Sequence, residues 1–152
     1  MDRVEDRFGG DHIVGGDRIV VGVDGSASSK AALSWAARQA QLTGLPLAVV
    51  TVWCFPMNWG WAVPWPADFD PEASARAVLD EAVEEVLGPE PGIELERLVI
   101  EGHPAPVLVH LSESAQLIVV GCRGHGEFVG MLLGSVSEHL TAHGHCPVVV
   151  VR

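Results

Sequence analysis

Five strand-like segments alternate with helix-like segments along this chain, and four of the five are almost uninterrupted apolar runs. The strand-like segments are Arg18–Asp24, Leu45–Trp53, Ile93–Ile100, Gln116–Val120 and Pro147–Val151. Strands that are apolar on both faces and separated by helices are typical of a parallel sheet covered on both sides. The pattern therefore predicts an α/β protein in which right-handed crossovers join the strands.

The intervening segments have the apolar spacing of amphipathic helices. They are Ser29–Leu42, Pro71–Leu87, a stretch from Gly102 to Ala115, and a stretch that ends near His143. The third strand alternates apolar and charged residues, and the last is short and terminal, so we expect both at sheet edges. Residues 18–152 are predicted to form one domain, and the acidic, glycine-rich residues 1–17 are predicted to form a flexible extension.

A glycine-rich loop, residues 121–135, separates the fourth apolar run from the last helix. Glycine permits positive φ and close approach of the backbone. The N–H groups at the start of the following helix, together with its dipole, favour a bound anion. The loop is therefore a candidate phosphate cradle, with the alternative that its glycines only shape a tight surface connection.

Two common phosphate-binding patterns do not fit this loop. The single lysine, Lys30, lies in the first helix, which excludes a GxxxxGK[ST] loop, and the third glycine falls one residue late for GxGxxG. The spacing that does fit is G-x2-G-x9-G-[ST], formed by Gly121, Gly124, Gly134 and Ser135.

This motif, placed between strand four and helix four, resembles that of the ATP-binding type of the universal stress protein family. The resemblance extends to Ile19–Ser26, Glu101–Pro104, Leu133–Ser137 and Cys146–Val150, and so covers residues 18–152. It implies a Rossmann-like open parallel sheet of five strands, in the order 3-2-1-4-5, with helices on both faces. It also implies a homodimer formed through the terminal strand, residues 147–151.

The resemblance further implies ATP, with Mg²⁺, across the carboxyl ends of the strands. The residues to which it assigns nucleotide contacts are Gly22, Asp24, Val52, Gly121, Arg123, Gly124, Gly134, Ser135 and Val136. In this assignment Asp24 lies near the ribose and phosphates, Val52 meets adenine through its backbone, and the residues around Gly134 hold phosphates. Two alternatives stay open: Asp24 could cap the first helix instead, and Arg123 could be a solvated charge.

We therefore expect an ATP-binding regulatory protein of the universal stress type, with little or no hydrolysis. No lysine lies near the predicted phosphates, and the loop offers no paired carboxylates. One alternative is a nucleotide-using enzyme, such as a slow ATPase, a nucleotidyl transferase or a ligase. Another is a nucleotide-free interaction module that uses the Trp-rich residues 54–66, and cyclic AMP in place of ATP is a variant of the main expectation.

The net charge and the cysteine content of the chain restrict which binding partners and which cellular compartment we expect for it. The formal charge of −11 disfavours nucleic acid and anionic membranes, and no apolar run is long enough to span a bilayer. The lack of a signal-like apolar region and of CxxC spacing predicts a cytoplasmic protein with reduced thiols. His139, His143 and His145 have a spacing that can bind zinc, but without HExxH no metal site is predicted.

Overall fold

The computed structural model of the protein describes residues 17–55, 66–124 and 132–152. These residues form β1 (Ile19–Gly22), α1 (Ala27–Thr43), β2 (Leu47–Trp53), α2 (Pro71–Leu87), β3 (Leu95–Glu101), α3 (Pro104–Ser112), β4 (Leu117–Gly121), α4 (Ser135–His143) and β5 (Val148–Val151). The strands make one parallel sheet in the order β3-β2-β1-β4-β5. The fold class and strand order expected from the sequence are confirmed.

Most boundaries shift by a few residues from the prediction, and the shifts have local causes. Strand β1 ends at Gly22 because Gly25, with φ of 85°, turns the chain toward α1. Helix α1 begins at Ala27 because the Ser26 hydroxyl accepts a hydrogen bond from the Ser29 N–H. Helix α2 spans the predicted residues.

The end of α3 differs most from the prediction, which extended this helix to Ala115. The helix ends at Ser112, where Glu113 N–H bonds the His110 carbonyl and Ser114 N–H bonds the Leu111 carbonyl. These i−3 bonds tighten the last turn and stop the α-helical ladder.

The core lies in two layers, one on each face of the sheet. One layer packs α1 and α2 on the sheet through residues such as Leu33 and Leu79, and the other packs α3 and α4 through Leu111 and Leu140. Successive side chains of a strand point to opposite faces, so Val21 belongs to the first layer and its neighbour Val20 to the second. The central strands therefore have to be apolar at consecutive positions.

Strands β3 and β5 form the two edges of the sheet, as predicted. On the β3 edge, Arg97 makes a 2.7 Å ion pair with Asp80 of α2. Between the helices on that side, Lys30 Nζ lies 2.7 Å from a Glu85 carboxylate oxygen, and this hydrogen bond raises the pKa of Lys30. The β5 edge consists of four half-buried valines.

Strand order reverses between β1 and β4, because the chain runs outward from β1 to β2 and β3 and then crosses back to β4. A crevice forms at such a point, beyond the carboxyl ends of the two strands, and it is where open α/β sheets bind ligands. None of the helices in the described ranges has the length and apolar character needed to cross a membrane.

Three predicted segments fall wholly or largely outside the described residues. They are the N-terminal extension up to residue 16, residues 56–65 of the Trp-rich segment, and residues 125–131 of the glycine loop. The division into an extension and a domain, and the role of the Trp-rich segment, stay predictions.

Candidate functional site

A cleft opens in the crevice between the ends of β1 and β4. Every residue that the sequence analysis proposed, except Ser135, lines it: Gly22, Asp24, Val52, Gly121, Arg123, Gly124, Gly134 and Val136. Residues that the sequence analysis did not propose line it as well: Val23, Ser29, Val50, Pro104, Leu108, Val120 and Ser137. The structure thus brings together strand ends, the glycine loop and the starts of two helices.

The floor of the cleft is apolar. Val50 and Val52 come from β2, Val120 from β4 and Leu108 from α3. At Gly22 an added Cβ would lie 3.2 Å from Leu108 Cδ1, so the absence of a side chain lets α3 pack closely over β1. A surface of this kind suits a flat, weakly polar group such as a nucleobase.

The main chain of β2 turns polar groups toward the cleft at Val52. The Val50 carbonyl accepts a 2.8 Å hydrogen bond from Val23 N–H on the β1 side, and the Trp53 carbonyl accepts one of 2.8 Å from Gly102 on the β3 side. Because peptide groups alternate sides along a strand, the N–H and C=O of Val52 face the β1 side. The β1–β2 register ends at Gly22 and Val50, so these groups point beyond the end of β1 into the crevice.

The two ends of the glycine loop are joined at Cys122. Its carbonyl oxygen accepts a 2.6 Å hydrogen bond from Gly134 N–H and a 3.0 Å hydrogen bond from the Ser137 hydroxyl. Gly134 is also the N-cap of α4, and as a glycine it offers no side-chain acceptor to the first N–H groups of the helix. This stem places the first turn of α4, with its N–H groups and positive dipole end, at the edge of the cleft.

At two motif glycines the constraint is space rather than backbone conformation, and it is strict at Gly121, where an added Cβ would meet backbone atoms. A Cβ on Gly121 would lie 2.7 Å from Ser28 C and 2.8 Å from Ser29 N, and one on Gly124 would lie 2.7 Å from Asp24 Oδ2. The positive-φ glycines among the described residues lie elsewhere, at Gly25, Gly44, Gly88, Gly92 and Gly102. The prediction of close backbone approach therefore holds at these positions, and positive φ does not explain them.

Asp24 and Arg123 are the charged side chains of the described part of the cleft, and both are exposed. Asp24 is not the helix cap, since that position belongs to Ser26. Instead, Asp24 Oδ1 accepts a 2.9 Å hydrogen bond from Ser26 N–H and holds the turn before α1. The Arg123 carbonyl accepts a short hydrogen bond from the Ser28 hydroxyl, which ties the glycine loop to α1.

The serines of α4 are placed differently from the sequence expectation. Ser135 is the exposed first residue of the helix and does not line the cleft, whereas Ser137 is buried and does. The only sequence signal for Ser137 is its position on the sheet-facing side of the predicted helix.

Histidine and cysteine side chains outside the cleft form no metal set in the part of the chain that the structure describes. The rings of His139 and His143 are in contact, with centroids 4.5 Å apart. Cys122 is buried at the base of the loop, and Cys54 is exposed. Partial burial raises the pKa of the Cys146 thiol.

Residues 16–152 match the sequence profile of the Universal stress protein family. The chain belongs to this family. Universal stress protein Rv2623 of Mycobacterium tuberculosis H37Rv is 37% identical over 148 residues, covering 88% of this chain and 47% of that protein. Universal stress protein Rv2005c of the same strain is 34% identical over 144 residues, with the same coverages. The chain spans about half the length of the curated relatives it matches.

Solved structures of universal stress proteins share the fold and, in two cases, hold an adenine nucleotide. One is a universal stress protein in complex with cAMP, with 29% identity and a TM-score of 0.64, covering 90% of this chain and 96% of that one. Another is the Archaeoglobus fulgidus protein in complex with dAMP, with 25% identity and a TM-score of 0.62, covering 91% and 100%. Both relatives bind an adenine ring, a ribose-type sugar and a phosphate.

Proposed function

We propose that this universal stress protein binds ATP together with Mg²⁺ in the cleft and acts in the cytoplasm as a regulatory nucleotide sensor, with little or no hydrolysis. The observation that carries the proposal is the joining, in one crevice, of an apolar floor with the glycine loop and the start of α4. The adenine nucleotides held by the two related structures support the choice of base.

The adenine ring would lie on the apolar floor formed by Val50, Leu108 and Val120. Its polar edge carries both a hydrogen-bond donor and acceptors, which match the carbonyl and N–H that Val52 directs into the crevice. Ligand pockets typically combine an apolar surface with a few such directed polar groups. This arrangement supports the role assigned to Val52.

The phosphates would lie at the other end of the cleft, against Gly124, Gly134 and Val136. The first-turn amides of α4 and its dipole favour negative charge there, and the Arg123 guanidinium can hold phosphate oxygens through two parallel hydrogen bonds. Mg²⁺ is usually held by one or two carboxylates together with substrate phosphates. Asp24, which lines the cleft, is the carboxylate that would serve that ion or the ribose.

The residues that line the cleft support binding of ATP rather than its hydrolysis. Among its described lining residues, Asp24 is the one carboxylate, and there is no lysine or histidine. A hydrolase needs a group within hydrogen-bond reach to activate water. Slow or undetectable release of phosphate from bound ATP is therefore expected.

The direct test is to identify the small molecules released when freshly purified protein is heat-denatured, and to titrate the emptied protein with ATP and Mg²⁺ by calorimetry.

Arg123→Ala is expected to weaken ATP binding about tenfold, because a charge-assisted contact to phosphate is lost. Arg38→Ala removes an equally exposed cation from the outer face of α1 and should leave affinity unchanged. Binding of cAMP in preference to ATP, or of neither, would contradict the proposal.

We further propose that two copies pair through the β5 edge, where an unpaired strand invites a partner strand. The Pro147 and Val151 carbonyls face β4, so the N–H of Val150 faces outward. Val150→Pro would remove that outward donor while preserving the bonds to β4. Sedimentation should show a dimer for the parent protein and a monomer for this variant.

The matched control is Val99→Pro, which removes an outward N–H from the opposite edge strand, β3. This variant should remain dimeric. A dimer in the Val150→Pro variant, or a parent protein that is monomeric at high micromolar concentration, would contradict pairing through β5.

A further inference from the structure

Two histidines form a pair on the exposed side of α4. His139 and His143 are four residues apart, which places them one turn apart on the same face of the helix. Both residues are exposed, and their ring centres lie 4.5 Å apart with the ring planes tilted by 45°. The sequence analysis predicted no metal site from the spacing of these histidines, and the structure adds the contact between their rings. The pair is therefore a candidate for joint binding of one ion.

The ring nitrogens of this pair are not engaged with any residue that the structure describes. Neither ring makes a hydrogen bond or an ion pair there, and the contact of each ring is with the other. His110 and His145, by contrast, face Glu113, at 3.8 Å and 3.9 Å from its carboxylate oxygens. A neutral imidazole has a lone pair on one nitrogen and is the commonest metal ligand among side chains. Each ring of the pair can therefore turn a lone pair toward a shared ion.

The distance between the rings suits an ion that holds neighbouring ligands at about a right angle. With metal–nitrogen bonds of about 2.0–2.1 Å, each ring centre would lie about 3.2 Å from the ion. Two ring centres 4.5 Å apart would then subtend an angle of about 90° at the ion. Tetragonal sites for Ni²⁺ and Cu²⁺ have this angle, whereas tetrahedral zinc needs a wider one. Imidazole also suits these ions, whereas Mg²⁺ and Ca²⁺ prefer oxygen ligands.

The position of the pair on the helix favours a cation. The pair occupies the last turns of α4, which ends at His143, and the last carbonyls of a helix form the negative end of its dipole. The formal charge of the whole chain, −11, acts in the same direction. Among the described residues, no group of three or more His, Cys, Asp or Glu side chains is placed to hold a metal ion. An ion bound here would therefore have two protein ligands, with water in its other positions.

We propose that His139 and His143 form a binding site for a divalent transition-metal ion of the Ni²⁺ or Cu²⁺ type. The ion would link the last two turns of α4 and so stabilise the folded helix. The site is independent of the proposed nucleotide function. It lies at the opposite end of α4 from Gly134, and it uses nitrogen ligands rather than the oxygen ligands of Mg²⁺.

The test titrates the untagged full chain with Ni²⁺ by calorimetry. Ni²⁺ is the probe because Cu²⁺ would also oxidise exposed thiols such as Cys54. His143→Gln is expected to weaken Ni²⁺ binding at least about tenfold, because a single imidazole loses the gain from two linked ligands. Added Ni²⁺ should raise the thermal transition of the parent protein and leave that of the variant unchanged.

A double variant keeps the number of histidines and changes only their placement. In His143→Gln/Thr141→His the second imidazole is two residues from His139, on a different side of the helix, so binding should be as weak as in His143→Gln. His103→Gln is the matched control for loss of a histidine. His103 is exposed at the N-cap of α3 and makes no side-chain cap bond, so this variant should retain the parent affinity.

Three results would overturn the metal site. The first is absence of Ni²⁺ binding by the parent protein. The second is parent-level affinity in either variant that lacks His143, because the ion would then not need the pair. The third is Ni²⁺ binding that leaves the thermal transition of the parent unchanged, because an ion held by the folded helix must stabilise it. Each of these results would leave the proposed binding of ATP unaffected.

Discussion

Replacing Gly134 by leucine is expected to abolish ATP binding while the protein stays folded. Gly134 is buried at the stem of the glycine loop and lines the cleft where α4 begins. Its backbone angles, φ −73° and ψ 168°, are open to any residue, so leucine causes no backbone strain. The added side chain would occupy the space proposed for phosphate, and we expect affinity to fall at least 100-fold, or about 3 kcal/mol.

The measurement is calorimetric titration of Gly134→Leu with ATP and Mg²⁺, alongside its circular dichroism and thermal transition. Ala142→Leu is the matched control, because it adds the same side chain to the exposed far end of the same helix. The control should bind ATP normally. Unchanged affinity in a folded Gly134→Leu protein would show that the phosphates do not lie at the start of α4.

Replacing Gly121 by alanine is expected to destabilise the fold by about 2–3 kcal/mol. The new Cβ would lie 2.7 Å from Ser28 C and 2.8 Å from Ser29 N, which are backbone atoms that cannot rotate away. The start of α1 would have to move off the end of β4, and the hydrogen bond from Ser28 to the loop would be strained with it. Urea unfolding, with nucleotide absent, measures the loss.

Gly124→Ala is the matched control for that experiment. Its Cβ would meet Asp24 Oδ2 at 2.7 Å, and this atom is the end of a side chain that can turn aside. The loss of stability should therefore stay below about 1 kcal/mol. Equal losses of unfolding free energy in the two variants would show that α1 can move away from the end of β4 at little cost, against what the contact geometry indicates.

The sequence analysis predicted much of the cleft lining because the glycine motif is local. Gly121, Gly124 and Gly134 lie within one loop, and the family resemblance placed Asp24 and Val52 beside it. It missed Ser137, whose hydroxyl bonds the Cys122 carbonyl, because a serine inside an amphipathic helix carries no distinguishing pattern. Ser135 is the exposed first residue of α4 and does not line the cleft, and its predicted phosphate contact stays a prediction.

The sequence by itself determined the alternation of strands and helices and the two-layered core. Apolar runs and helical spacing are repeated over a few residues, so they can be recognised without knowledge of distant contacts. The tertiary structure alone decided why Gly121 must lack a side chain. That property depends on the close approach of α1 to the end of β4, which also brings together Ser28 and Arg123, 95 residues apart. A pattern within a short stretch of sequence contains no information on how closely two distant segments approach once the sheet has formed.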